Sequence, residues 1–152
     1  MIESFDLPAP DYDNAPPISA FRAISLALPP LFVAAAIFYL SSNPHAQIPV
    51  QFYLSDKIAH FSIFGLLSFL IYRALSLGFT RQNLLSSFLL SVVTTIIYGA
   101  GDEFHQRFVA GRYCEIGDLA ADGAGALVFA FAGCFYQRKA NKTKKMEKKS
   151  GD

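Results

Sequence analysis

The chain reads as an all-α, four-helix transmembrane bundle, and three observations predict it. Hydrophobic residues make up 53% of the 152 residues and charged residues only 16%, where an ordinary soluble domain carries about 25% charged residues; a mean hydropathy of +0.33 points the same way. Four apolar runs recur along the chain, each close to the roughly 20 residues a helix needs to cross a bilayer core. The charges are pushed to the connections and the ends, with Glu3, Asp6, Asp11 and Asp13 at the start and Lys139, Lys142, Lys144, Lys145, Lys148 and Lys149 at the finish. The length suits one domain.

Residues 1–21 form a disordered leader, because Pro8, Pro10, Pro16 and Pro17 lie among its acids. No basic start leads into a short apolar core, so the segment is not read as a cleavable signal peptide. The first helix covers about 23–42, AISLALPPLFVAAAIFYLSS, and carries no charge. Pro29 and Pro30 fall inside it and predict a kink, since proline lacks the backbone donor and crowds the preceding turn. Pro44 and Pro49 then keep the connection out of a helix.

The second helix, about 57–75, is entered through Asp56 and Lys57 and left through Tyr72 and Arg73, groups suited to an interface. Gly65, with Ser62 and Ser68 nearby, allows another helix to come close. After a short connection holding Arg81, the third helix covers about 84–105 and runs into a polar island, Gly101 to Asp122, with seven charged residues plus His105, Gln106 and Tyr113. The fourth helix, about 117–137, begins inside that island. Asp118 and Asp122 are one turn apart, and Ala121, Gly123, Gly125 and Ala126 make one side thin, a packing feature more than a nucleotide cradle. Residues 138–152 are a basic tail. Cys114 and Cys134 fall in different environments, one in the polar island and one in an apolar run, and are expected to be unpaired.

Four spans place both termini on one side. The leader, the connection between helices two and three and the tail hold ten arginines and lysines, against three (Lys57, Arg107 and Arg112) in the other two connections. Cytoplasmic loops carry the excess, so both termini are expected in the cytoplasm. The tail lysines then serve topology or anionic lipid rather than nucleic acid. The segment from Asp56 to His60 and the polar island fall together at the opposite, extracytoplasmic surface.

Ionisable groups at the edge of hydrocarbon pair with one another or line a functional cavity. Asp56, His60, Asp102, Glu103, His105, Arg107, Arg112, Glu115, Asp118 and Asp122 are such groups, with Lys57, Arg107 and Glu115 the ones most easily explained as solvated loop charges. His60 lies one turn after Asp56 and either takes a hydrogen bond from that region as a structural ring or carries a proton, because imidazole titrates near physiological pH. Asp102 and Glu103 point about 100° apart on a helix, so one of them is expected to face the bundle. Asp102 shares a face with Gln106, and Glu103 shares one with Arg107, where a surface ion pair would form. Arg112, after Gly111, either binds an anion with its fork or pairs with Asp118 or Asp102. Asp118 is placed to cap helix four. No HExxH or comparable spacing exists, and Glu103 and His105 do not share a helical face, so neither a metal nor a cofactor is assigned. No serine or cysteine stands out as a nucleophile.

Two stretches, DKIAHFSIFGLL at 56–67 and DEFHQRFVAGRYCEIGDLAADGAGAL at 102–127, carry a resemblance to the VanZ-like family of membrane proteins, named for a protein linked to teicoplanin resistance. The shared pattern is an Asp-Lys and His entering a helix, then DE-x-x-Q, a Gly-Arg pair, and an Asp before a helix of small residues. The likeness covers residues 22–136. Where many relatives read Asn-x-x-G, this chain has Asp122-Gly123-Ala124-Gly125, a carboxylate in place of an amide. The resemblance implies an integral protein of the bacterial inner membrane and cell envelope, with the bilayer as its first partner. The reading that follows is a pocket of Asp56, His60, Asp102, Glu103, Gln106, Arg112 and Asp118 that binds or modifies an anionic lipid-linked or glycopeptide-like ligand. The alternatives are an enzyme using His60 and Asp102 or Glu103 as acid and base on a polar lipid head group, and a scaffold whose charges form an internal ion-pair network.

Overall fold

The computed structural model describes residues 18–43, 53–79, 83–112 and 114–150. It contains four long helices and, among the described residues, no strand: α1 (Ala20–Ser42), α2 (Tyr53–Ala74), α3 (Leu84–Gln106) and α4 (Ile116–Ser150). All four are long and apolar enough to span a bilayer. The expected leader through Pro17, the Pro44 and Pro49 connection, Arg81 and Tyr113 lie outside the described residues.

Each helix starts near its expected position, and the differences have local causes. The first begins at Ala20 because Ser19 caps it, its hydroxyl accepting the Arg22 amide hydrogen at 3.3 Å; Asn83 does the same for α3 through Ser86 at 2.8 Å. Both are residue types whose short side chains satisfy the free amides of a first turn. Pro29 and Pro30 sit inside α1. The end of α2 widens into a π-helical turn over Leu75–Phe79. The last helix does not stop at residue 137 but runs to Ser150 through the lysine segment, where Lys, Glu and Met are all good helix formers and no proline or glycine intervenes.

Burial runs opposite to that of a soluble protein. Large apolar side chains such as Phe21, Phe32, Ile97, Phe131 and Phe135 are exposed, while Ser68, Ser87, Ser91, Thr95 and five acids or amides are buried. That is the distribution expected when the surroundings are lipid and polar groups must be satisfied inside. Val33 and Ile37 of α1 pack on Phe64 and Leu67 of α2 to form the apolar core, with Tyr98 of α3 against it. The tightest pairing is α2 with α4. There Ala126 and Ala130 are fully buried, and a Cβ at Gly125 would overlap the Phe61 carbonyl oxygen. Small residues on α4 therefore let two backbones approach, the usual device for joining helices in lipid.

Candidate functional site

The polar groups at the start of α2, the end of α3 and the start of α4 meet at one end of the bundle. The direction of the chain requires it: α1 and α3 finish there and α2 and α4 begin there. Two ladder rungs join α2 to α4. Lys57 Nζ lies 2.8 Å from Asp118 Oδ1 and 3.1 Å from Glu115 Oε2, and one turn deeper His60 Nδ1 lies 2.9 Å from Asp122 Oδ1. Both pairs increase in number together because the two helices run parallel.

Asp122 is the innermost charge, 0% exposed, and is held among α2, α3 and α4. Room for it comes from Gly99 on α3, where an added Cβ would stand 2.9 Å from Asp122 Oδ2. One turn after Gly99 on the same face is Glu103, itself 3% exposed. Its Oε2 accepts the backbone amide hydrogen of Glu115 at 3.1 Å, tying the end of α3 to the entrance of α4. His60, Glu103 and Asp122 each offer a ring nitrogen or carboxylate oxygen within 4.8 Å of the other two. Glu103 Oε1 and Asp122 Oδ2 are buried without a hydrogen-bond partner among the described residues. The His60 ring is stacked on Phe64, with centroids 5.8 Å apart.

A second group lies between α3 and α1. Asp102 accepts from Ser41 Oγ at 2.6 Å and from Gln106 Nε2 at 3.0 Å, and all three residues are buried. Beside it Ser42 Oγ and His105 Nε2 are 3.0 Å apart, and His105 stacks on Phe38. Arg112 closes this side by donating from Nη2 to the Leu40 carbonyl at 2.9 Å, a guanidinium on the negative end of α1.

Several pairings therefore differ from those the spacing suggests. Both Asp102 and Glu103 face inward, since α3 has α1 on one flank and α2 and α4 on the other, and side chains about 100° apart can each meet a neighbour. Glu103 does not pair with Arg107, which is exposed, with its guanidinium 5.9 Å from the centre of the Phe104 ring. His60 bonds across to Asp122 and not along its helix to Asp56, which is exposed, although an Asp56 oxygen also lies within 4.8 Å of the ring and of Asp118. Arg112 makes no ion pair with Asp118 or Asp102 among the described residues. Asp118 sits in the first turn of α4 with its carboxylate on Lys57, and is not its cap. Lys57 and Glu115 are paired rather than merely solvated.

Reading by sequence left Asp122 and Ser41 outside the pocket. Asp122 had a signal, a carboxylate one turn inside an apolar, glycine-rich helix. Ser41 had none, because only the α1–α3 crossing gives it an acid.

The VanZ/LLP1 family model matches residues 13–137, which include all the residues just described. The chain belongs to the VanZ/LLP1 family. As a VanZ/LLP1 protein it is a multi-pass membrane protein, and both polar stretches of the site lie within the matched region. One relative is an uncharacterized protein of the fission yeast Schizosaccharomyces pombe, 27% identical over 101 residues, covering 66% of this chain. The chain spans 57% of that relative's length. No solved structure matches the chain.

Proposed function

We propose that this VanZ/LLP1 protein carries a membrane-embedded acid–base site, His60 with Asp122 and Glu103, that acts on the polar head group of a lipid-linked ligand. The observation that carries the reading is the 2.9 Å contact of His60 Nδ1 with the fully buried carboxylate of Asp122. A carboxylate in that position fixes the ring and, with Nδ1 as donor, leaves Nε2 to take or give a proton. Glu103, beside them at the same depth, is the second acid.

The excess of arginine and lysine in the other connections supports an extracytoplasmic position for this end, with both termini in the cytoplasm. An envelope ligand of the anionic, glycopeptide-like kind fits that side. Its negative charge would find the nearby cations engaged, Lys57 between two carboxylates and Arg112 on a carbonyl. Simple binding of an anion by those two groups is accordingly the weaker reading, and chemistry at His60 the stronger.

The test is turnover of head-group-labelled lipids by purified protein in nanodiscs. His60→Gln is expected to lower the rate by about 10²–10⁴-fold, the usual weight of a general acid or base. An unchanged rate in that variant sinks the proposal.

A further inference from the structure

The inner cluster presents a surplus of acceptors. Glu103 and Asp122 bring two carboxylates to one imidazole, and each keeps a buried oxygen, Oε1 and Oδ2, with no hydrogen-bond donor among the described residues. An unmatched carboxylate oxygen away from water is costly, and here two of them come from different helices. Lys57 does not relieve them, since its ammonium sits one turn outward between Asp118 and Glu115. Among the described residues, no cation reaches these two oxygens.

We infer that His60, Glu103 and Asp122 form a binding site for one divalent first-row transition-metal or zinc ion. The donor set is one imidazole nitrogen and two carboxylates, a mixture that suits Zn²⁺ or Mn²⁺ better than Ca²⁺, which takes six or more oxygens. Two carboxylates neutralise the ion's charge. The separations fit: ligand atoms about 2.0–2.2 Å from a shared ion lie at most about 4.4 Å apart, and these atoms are already within 4.8 Å of one another. The outer set of Asp56, His60 and Asp118 is a poorer choice, because Asp118 already holds Lys57 at 2.8 Å and Asp56 is exposed.

The inference concerns the same site and rests on the proposed function only for the class of ligand, a lipid-linked anion. A bound ion turns an acidic cluster into a receptor for an anionic head group such as a phosphate or carboxylate, supplying the positive charge that Lys57 and Arg112 do not. The protein would then recognise its ligand through the ion, and His60, with one ring nitrogen on the ion and the other on Asp122, would hold the metal in place of carrying the proton.

Full-length protein in detergent, dialysed against chelator, is desalted after incubation with Zn²⁺, Mn²⁺ or Ca²⁺ alone, and bound metal is counted by mass spectrometry. The expected result is one Zn²⁺ or Mn²⁺ per chain and no retained Ca²⁺. Asp122→Asn and Glu103→Gln each weaken binding by at least about 10-fold, and His105→Gln leaves it unchanged. The wild-type stoichiometry does not depend on whether a variant folds. A wild-type protein that retains no ion, that retains Ca²⁺ equally, or that loses its ion on His105→Gln overturns the site. Lipid turnover that survives chelation overturns the ion's part in recognising the ligand and spares the acid–base reading; an ion bound without any turnover supports the site and removes that reading alone.

Discussion

At the scale of single residues, the buried polar groups divide into those with partners and those without, and the two kinds respond oppositely to substitution. Ser41 donates to a buried Asp102 oxygen at 2.6 Å, a hydrogen bond to a charged group worth about 1.5–3 kcal/mol. Ser41→Ala is therefore expected to lower the unfolding midpoint in detergent, and a midpoint equal to wild type would show that the bond contributes nothing. Thr95 is fully buried, with a hydroxyl that has no partner among the described residues. Thr95→Val keeps the volume and removes the orphan, so the midpoint should rise, by about 1 kcal/mol of stability; a fall would mean that the hydroxyl has a partner in the membrane. That acids would gather at this end was legible in the sequence, as was the placement of Asp102 and Gln106 on one face. The pairing was not. His60 chose Asp122 over Asp56 because the α2–α4 contact brings the buried carboxylate of a residue 62 positions away to 2.9 Å, nearer than its exposed one-turn neighbour. Spacing along one helix cannot report that.

At the scale of the helix pair, α2 and α4 set the depth of the site through their small residues. A Cβ at Gly125 would meet the backbone carbonyl of Phe61, which cannot rotate away. Gly125→Ala should force the two helices apart, costing about 1–3 kcal/mol, and loosen the His60–Asp122 contact with it. Gly101→Ala, where nothing lies within 4 Å, should be neutral or slightly stabilising. Thermal unfolding of the pair checks this, and equal losses at both positions would refute the packing account. The four apolar runs gave the helices almost directly, since length and hydropathy decide what crosses a bilayer. Glycine and alanine spacing marked α4 as thin on one side but could not name α2 as the helix it touches. The continuation of α4 to Ser150 was missed because charge was read as the end of the span, whereas a helix need not stop where the membrane does.

For the whole molecule, α4 is about 50 Å long at about 1.5 Å per residue, well beyond a core of about 30 Å. Its lysine-bearing end projects from the bundle at the end opposite the site. If the termini lie in the cytoplasm, as proposed, Cys114, exposed between α3 and α4, should react with a membrane-impermeant maleimide in intact cells. A cysteine introduced by Lys142→Cys should react only after permeabilisation, and the reverse pattern would invert the topology. Both labels fall at opposite ends of one bundle whose polar end holds the proposed chemistry. The most direct check on that chemistry is a double-variant cycle on lipid turnover in nanodiscs, with Arg107→Gln as a surface control. If His60 and Asp122 act as one unit, His60→Gln, Asp122→Asn and the double variant fall to nearly the same rate, since effects within a catalytic unit are not additive. Losses that simply multiply in the double variant would contradict the account.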